Sequence, residues 1–247
     1  MSGHNRWSKI KHAKAASDAK KSKGWTKLLK EIAVAAKSGG DPSGNPRLRT
    51  AMDKARASNV PNDTIKRSIQ KGSGELDGAN YEDLVYEVYG PGGTAVVVEV
   101  LTDNRNRTAG EIRKLLEKNH GKLAASGSVL YLFHKQGHIV FDKSVGEDAV
   151  MEAALDVGAD DVRADSEAIL VVTEAGKMVD VREALEKRGL KPMHNEVGMY
   201  PDTSVRLEGE DAAAMVKLVG QLEDHDDVQN VYANYDIDDS LLEQLSA

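Results

Sequence analysis

The stretch QGHIVFDKSVGEDAVMEAALDVGADDVRADSEAILVVTEAGKMVDVREALEKRGLKPMHNEVGMY, residues 136–200, reads as a regular alternation of elements. His138–Phe141 and Ala168–Val172 are short runs of strand-forming residues, and a shorter strand lies near Val162. Gly146–Val157 and Gly176–Arg188 read as helices, and Glu196–Tyr200 as a closing strand. The order β-α-β-β-α-β is that of a complete ferredoxin-like unit.

Working outward, the tail supplies Thr203–Leu207 as strand, Glu210–Leu222 as helix and Val228–Tyr235 as strand, which is half of such a unit. The missing half lies upstream. Tyr81–Tyr89 and Thr94–Thr102 form a hairpin across the turn Gly90-Pro91-Gly92-Gly93, and a helix follows with Ile112, Leu115 and Leu116 on one face. Val129–Phe133 reads as a further strand. These pieces predict a discontinuous ferredoxin-like domain, 79–134 with 202–247, interrupted by an inserted one at 135–201. The two units echo each other in Gly158-Ala-Asp-Asp-Val162 and Asp224-His-Asp-Asp-Val228, both between helix and strand.

Upstream of the linker at 72–78 the pattern is helical. Trp25, Leu28, Leu29, Ile32, Ala33 and Ala36 recur at three- and four-residue steps, and Gly39-Gly40 ends that helix. Asn45 followed by Pro46 predicts an N-cap with Pro in the first helical position, opening a helix that buries Leu48, Ala51, Met52 and Ala55. A third helix from Asn62 to Lys71 buries Ile65 and Ile69, with Gly72 as its stop. The fold class is therefore α+β: a three-helix domain at 25–78, two ferredoxin-like domains, and a mobile basic arm at 1–24 whose only large apolar residues are Trp7 and Ile10.

Charge divides the chain in the same place. Residues 1–72 hold 17 Lys and Arg against 5 Asp and Glu, and the remaining 175 residues hold 16 against 35. A basic head on an acidic body points to a polyanionic partner for the head. The candidate nucleic-acid contacts are Arg6, Trp7, Lys9, Lys11, Lys14, Lys20, Lys21 and Lys23 in the arm, where Trp7 is placed to stack on a base or to dock on the helices. In the bundle they are Lys27, Arg47, Arg49, Lys54 and Arg56, which fall off the apolar stripes. Arg105 and Arg107, opening the helix after Thr102, reinforce an anion site at its N-terminus, or else the loop's Asn and Asp cap that helix.

Other classes find little support. Zero cysteine excludes a disulfide scaffold, a thiolate zinc site and a cysteine nucleophile, and fits a reducing, cytoplasmic setting. No apolar run approaches the roughly 18–20 residues of a membrane span, and the start lacks a secretory signal. Residues 1–24 are Lys-rich rather than Arg-rich, against a mitochondrial presequence. His4 and His12 lie in the arm, His134 and His138 flank a Gln-Gly turn, and neither pair has metal-binding company. No catalytic residue, metal or cofactor is expected. The strands offer Val96-Val97-Val98 and Ile169-Leu170-Val171-Val172 where an RNA-recognition module shows aromatics.

Several motifs resemble the YebC family: Gly3-His4 with Trp7, Asn45-Pro46-Arg47-Leu48-Arg49, Tyr89-Gly90-Pro91-Gly92-Gly93, Leu101 to Thr108, Ser126-Gly127-Ser128-Val129 and Asp226 to Val231. They span nearly the whole chain. Trp25-Thr26 and His120-Gly121-Lys122-Leu123 depart from the family's usual residues. The resemblance implies a three-domain, cleft-bearing α/β protein. It also implies one of two roles, a cytosolic DNA-binding transcriptional regulator or a ribosome-associated factor that helps translate difficult sequences such as proline runs. Duplex DNA, ribosomal RNA and the ribosome are thus the candidate partners, and no membrane is. The oligomeric state is not legible.

Overall fold

The structure is a computed structural model that describes residues 21–76, 80–165 and 168–246. The expected arm up to Lys20 and part of the linker lie outside these residues. Helix α1 spans Lys21–Ala36. It begins four residues before Trp25, because Lys and Ser continue a started helix at little cost and nothing within 4 Å crowds Gly24. Helix α2 is Pro46–Ala57, and Asn45 caps it as predicted, its side-chain oxygen accepting from the Leu48 N–H at 3.0 Å. The Asn45 amide also donates to the Ala35 and Gly39 carbonyls, so one buried side chain joins the end of α1 to the start of α2.

Helix α3 runs Asn62–Ser73, past the predicted stop. Gly72 is where α3 crosses α1: a methyl group there would run into the Ala33 carbonyl. The stop is Gly74, left-handed at φ 85°. Trp25, Leu28, Leu29, Ile32, Leu48, Ala51, Met52, Ala55, Ile65 and Ile69 pack into one cluster, as their spacing requires.

Strands β1 (Glu82–Tyr89) and β2 (Ala95–Thr102) form the predicted hairpin across Gly90–Gly93. Helix α4 (Arg105–Lys118) follows, then the two-residue β3 (Lys122–Leu123). The antiparallel sheet is ordered β3-β1-β2-β9, with β9 (Val228–Ala233) from the end of the chain. Helices α4 and α7 (Gly209–Glu223) and α8 (Asp239–Ser246) contribute Ile112, Leu116, Met215, Leu218 and Leu242 to the core on one face.

Two strand expectations need correction here. Val129–Phe133 is no strand at its start: Val129 and Leu130 donate their N–H groups to the Glu87 carboxylate at 2.7 and 2.8 Å, and Leu130–Leu132 is a 3-10 turn. Of residues 203–207, only β8 (Val205–Arg206) is strand. It pairs in parallel with β10 (Tyr235–Asp236) outside the four-stranded sheet, whose remaining edge place β3 fills.

The second sheet holds β4 (Phe133–Asp142), β5 (Asp161–Ala164), β6 (Ala168–Glu174) and β7 (His194–Pro201) in the order β5-β6-β4-β7. Helices α5 (Glu147–Asp156) and α6 (Met178–Lys187) cover it. This is the ferredoxin-like order read from the sequence. Gln136-Gly137 is not a turn. It sits inside β4, where a side chain at Gly137 would collide with Met178 and Thr173. His134 and His138 therefore share one strand, the first paired with Asp202 at 2.7 Å and the second stacked on Tyr200.

Candidate nucleic-acid interface

Of the candidate contacts, Arg6, Trp7, Lys9, Lys11, Lys14 and Lys20 lie outside the described residues, and Lys21 and Lys23 belong to the first turn of α1. The others fall into two groups by environment. On α2 the cations remain at the surface. Arg47 meets Asp83 at 3.3 Å, Lys54 meets Glu31 at 3.2 Å and Arg56 meets Asp53 at 3.2 Å, with each cationic side chain more than half exposed. Exposed pairs of this kind contribute about 0–1 kcal/mol, so a phosphate can compete for the cation. Arg49 donates to the Pro42 and Ser43 carbonyls and holds the loop before α2.

The second group is engaged by the residues around Asp227. Lys27 donates to the Glu223 carbonyl at 2.5 Å, and burial pulls its pKa down against the neighbouring acids. Lys30 reaches the Asp226 carbonyl at 3.0 Å and Asp227 Oδ1 at 2.6 Å. Arg107 bridges Asp103 at 2.8 Å and Asp227 Oδ2 at 3.0 Å. The Thr108 and Thr102 hydroxyls also donate to Asp227 Oδ2, at 2.7 and 3.2 Å. Burial alone would raise the pKa of Asp227, but the hydrogen bonds from Lys30, Thr108 and Arg107 outweigh it and hold the carboxyl well below the usual range. Asn104 caps α4 by accepting from the Arg107 N–H at 3.1 Å. At this helix start the capping arrangement is the one formed, and Arg107 is engaged by the protein's own acids. Arg105 stays exposed in the first turn of α4, near Tyr86.

A third cationic group lies beyond the residues singled out by sequence. Lys66, Arg67 and Lys71 are exposed with Gln70 on the face of α3 opposite Ile65, Ser68 and Gly72. No hydrogen bond or ion pair to another described residue engages these three. The signal was present, since all three fall off the stripe of Ile65 and Ile69, as the α2 cations fall off theirs.

Residues 5–75 match the family description "TACO1/YebC protein N-terminal domain", and residues 81–235 match "TACO1/YebC second and third domain". This chain belongs to the TACO1/YebC family. A "Probable transcriptional regulatory protein" of Geotalea uraniireducens is 54% identical over 246 residues, covering 99% of this chain and 100% of that one. One of Acidithiobacillus ferrooxidans is 48% identical over 248 residues, covering 100% and 99%. A crystal structure of a conserved hypothetical protein from Aquifex aeolicus is 42% identical, with a TM-score of 0.77 over 90% of this chain and 92% of that one. The TACO1/YebC assignment thus covers both the head and the two sheets.

Within this TACO1/YebC chain Glu111, His225 and Asp227 come close enough to suggest a cation site. The arrangement does not fit one. His225 Nε2 lies 3.0 Å from Glu111, its Nδ1 accepts from the Asp227 N–H, and both Asp227 oxygens already serve Lys30, Arg107 and the threonines. A metal ion would have to displace two cations. Among the described residues no helix is long and apolar enough to cross a membrane.

Proposed function

We propose that this protein is a non-enzymatic, cytoplasmic regulator of gene expression that binds duplex DNA through its basic head. The observation that carries the reading is the face of α3, where Lys66, Arg67 and Lys71 stand exposed without an acidic partner among the described residues. Cations left free in an otherwise acidic protein, at a net charge of −7, suit a phosphate backbone. The exposed Arg47, Lys54 and Arg56 of α2 extend the same head, and the curated relatives' name, probable transcriptional regulatory protein, agrees with the regulatory part of the reading.

Contacts to about 6–10 phosphates would lower duplex affinity roughly 10³–10⁵-fold between about 50 and 200 mM salt. Replacing Lys66, Arg67 and Lys71 together by Gln should weaken binding and reduce the salt slope by about one for each phosphate that is no longer neutralised. Helicity should stay unchanged, because none of the three touches the bundle core. Salt-independent binding would overturn the reading. Crosslinking in cells, with sequencing of bound DNA and bound RNA, separates the two roles the family resemblance implies. Promoter DNA supports the proposal, whereas ribosomal RNA alone would replace it with a ribosome-associated translation factor.

A further inference from the structure

The head is fastened to the rest of the described chain by polar contacts. Lys27 and Lys30 on α1 reach the segment Glu223–Asp227. Lys37 donates to Asn80 Oδ1 and the Tyr81 carbonyl, each at 2.6 Å, and Arg47 meets Asp83. The head's apolar cluster and that of the neighbouring sheet are separate, and these polar contacts run between them. The attraction of charged contacts such as these weakens as ions screen it.

The segment that holds the head is itself a string of acids, with Glu223, Asp224, Asp226 and Asp227 in five residues. It continues directly from α7, whose last carbonyls carry partial negative charge. Carboxylate and carbonyl oxygens set against two ammonium groups resemble the oxygens of consecutive phosphates. One ammonium cannot serve both at once.

We propose that residues 223–227 act as an internal stand-in for the nucleic-acid backbone, occupying Lys27 and Lys30 so that duplex binding and head docking compete. The inference rests on the nucleic-acid reading above and adds its regulation. In the closed form α1 turns two lysines inward, and they are withheld from the phosphate contacts that the α2 and α3 cations can make. In the open form the two lysines join the phosphate contacts, and apparent affinity is reduced by whatever fraction of molecules stays closed. Raised salt therefore opens the joint while it weakens phosphate contacts.

Because the chain has no cysteine, Thr50→Cys on α2 and Glu117→Cys on α4, both exposed, can carry a pair of spin labels across the joint. The free protein should give one distance, and saturation with a short random-sequence DNA duplex at low salt should lengthen it. Binding seen by fluorescence anisotropy with an unchanged distance overturns the latch and leaves the nucleic-acid reading standing. Asp227→Asn should raise duplex affinity by about fivefold or more, the lower end of typical coupling between sites. Since that variant can fail to fold, Glu223→Gln, Asp224→Asn and Asp226→Asn together form the second test. Glu147→Gln, Asp148→Asn and Glu152→Gln on α5 make the same charge change away from the joint. An equal gain in both triple variants marks a general charge effect and also overturns the latch. Binding by the opened variants alone supports it. If neither they nor the wild type binds at low salt, the latch and the binding reading fall together.

Discussion

Gly158-Ala-Asp-Asp-Val162 and Asp224-His-Asp-Asp-Val228 each carry the chain from a helix into the edge strand of a four-stranded sheet. Asp161 and Asp227 hold the same place, directly before the first valine of the strand. Asp161 accepts from the Val162 N–H at 2.9 Å and pairs with Arg163 at 2.7 Å, with its side chain 47% exposed. Asp227 is 5% exposed at its side chain and is held by groups from α1, the end of β2 and the first turn of α4. The last three residues, Asp-Asp-Val, are shared, yet one aspartate is surface detail and the other joins the head to the sheet. The difference lies in what packs over each segment. A solvated carboxylate gains little from a cation it can exchange for water, whereas a sealed one must have every lone pair met.

That contrast can be broken by mutation. Asp227→Ala should cost about 3–5 kcal/mol, because it leaves Lys30 buried without its counter-charge, and urea denaturation of the purified protein would register the loss. A cost below about 1 kcal/mol would put Asp227 in the class of Asp161. The pH dependence sharpens the point. Asp227 has a folded-state pKa below its unfolded value, so its stabilisation is complete above the ordinary carboxylate range of about 4. It is then lost as pH falls through the lower folded value. The gap between wild type and Asp227→Ala should therefore narrow below about pH 4 and stay constant from there to neutrality.

Glu87 offers an intermediate case, a buried carboxylate with no cation partner among the described residues. Burial pushes its pKa up, but backbone N–H groups of Val129, Gly127, Leu130 and Ser128 bring it below the usual range. Glu87→Gln keeps one acceptor oxygen and should cost about 1.5–3 kcal/mol, with faster amide exchange at Val129 and Leu130. A cost as large as that of Asp227→Ala would show that hydrogen bonds rather than opposite charge dominate both sites. Thr108→Val removes a single neutral donor from Asp227 and should cost about 1 kcal/mol by the same denaturation. Asp161→Ala should shift stability least, within about 1 kcal/mol.

Much of the framework was legible before any coordinates. The β-branched run in Thr94–Thr102 and the turn Gly90–Gly93 specify the hairpin, and the three- and four-residue steps within each helix, such as Leu28, Leu29, Ile32 and Leu48, Ala51, Met52, Ala55, specify the bundle. The errors share a cause. Gly72 looked like a stop because glycine ends helices, but here it admits a crossing helix, a fact carried by Ala33. Val129–Phe133 looked like strand because its side chains are right for one, but a distant carboxylate claims its N–H groups. Lys27 looked like a free cation, since nothing adjacent in sequence reveals Glu223 as its partner, and at Arg107 the choice between anion site and capping loop stayed open because Asp227 is distant in sequence.

By itself the sequence determined the periodicity of each element, the Asn45 cap, the order of the inserted unit and the split of charge between head and body. All of these depend on residues within a few positions of one another or on simple sums. Tertiary structure alone decided which cations remain available. Lys30 and Asp227 are separated by 197 positions, and whether a charge is engaged or free depends on the partner that folding brings within a few ångströms.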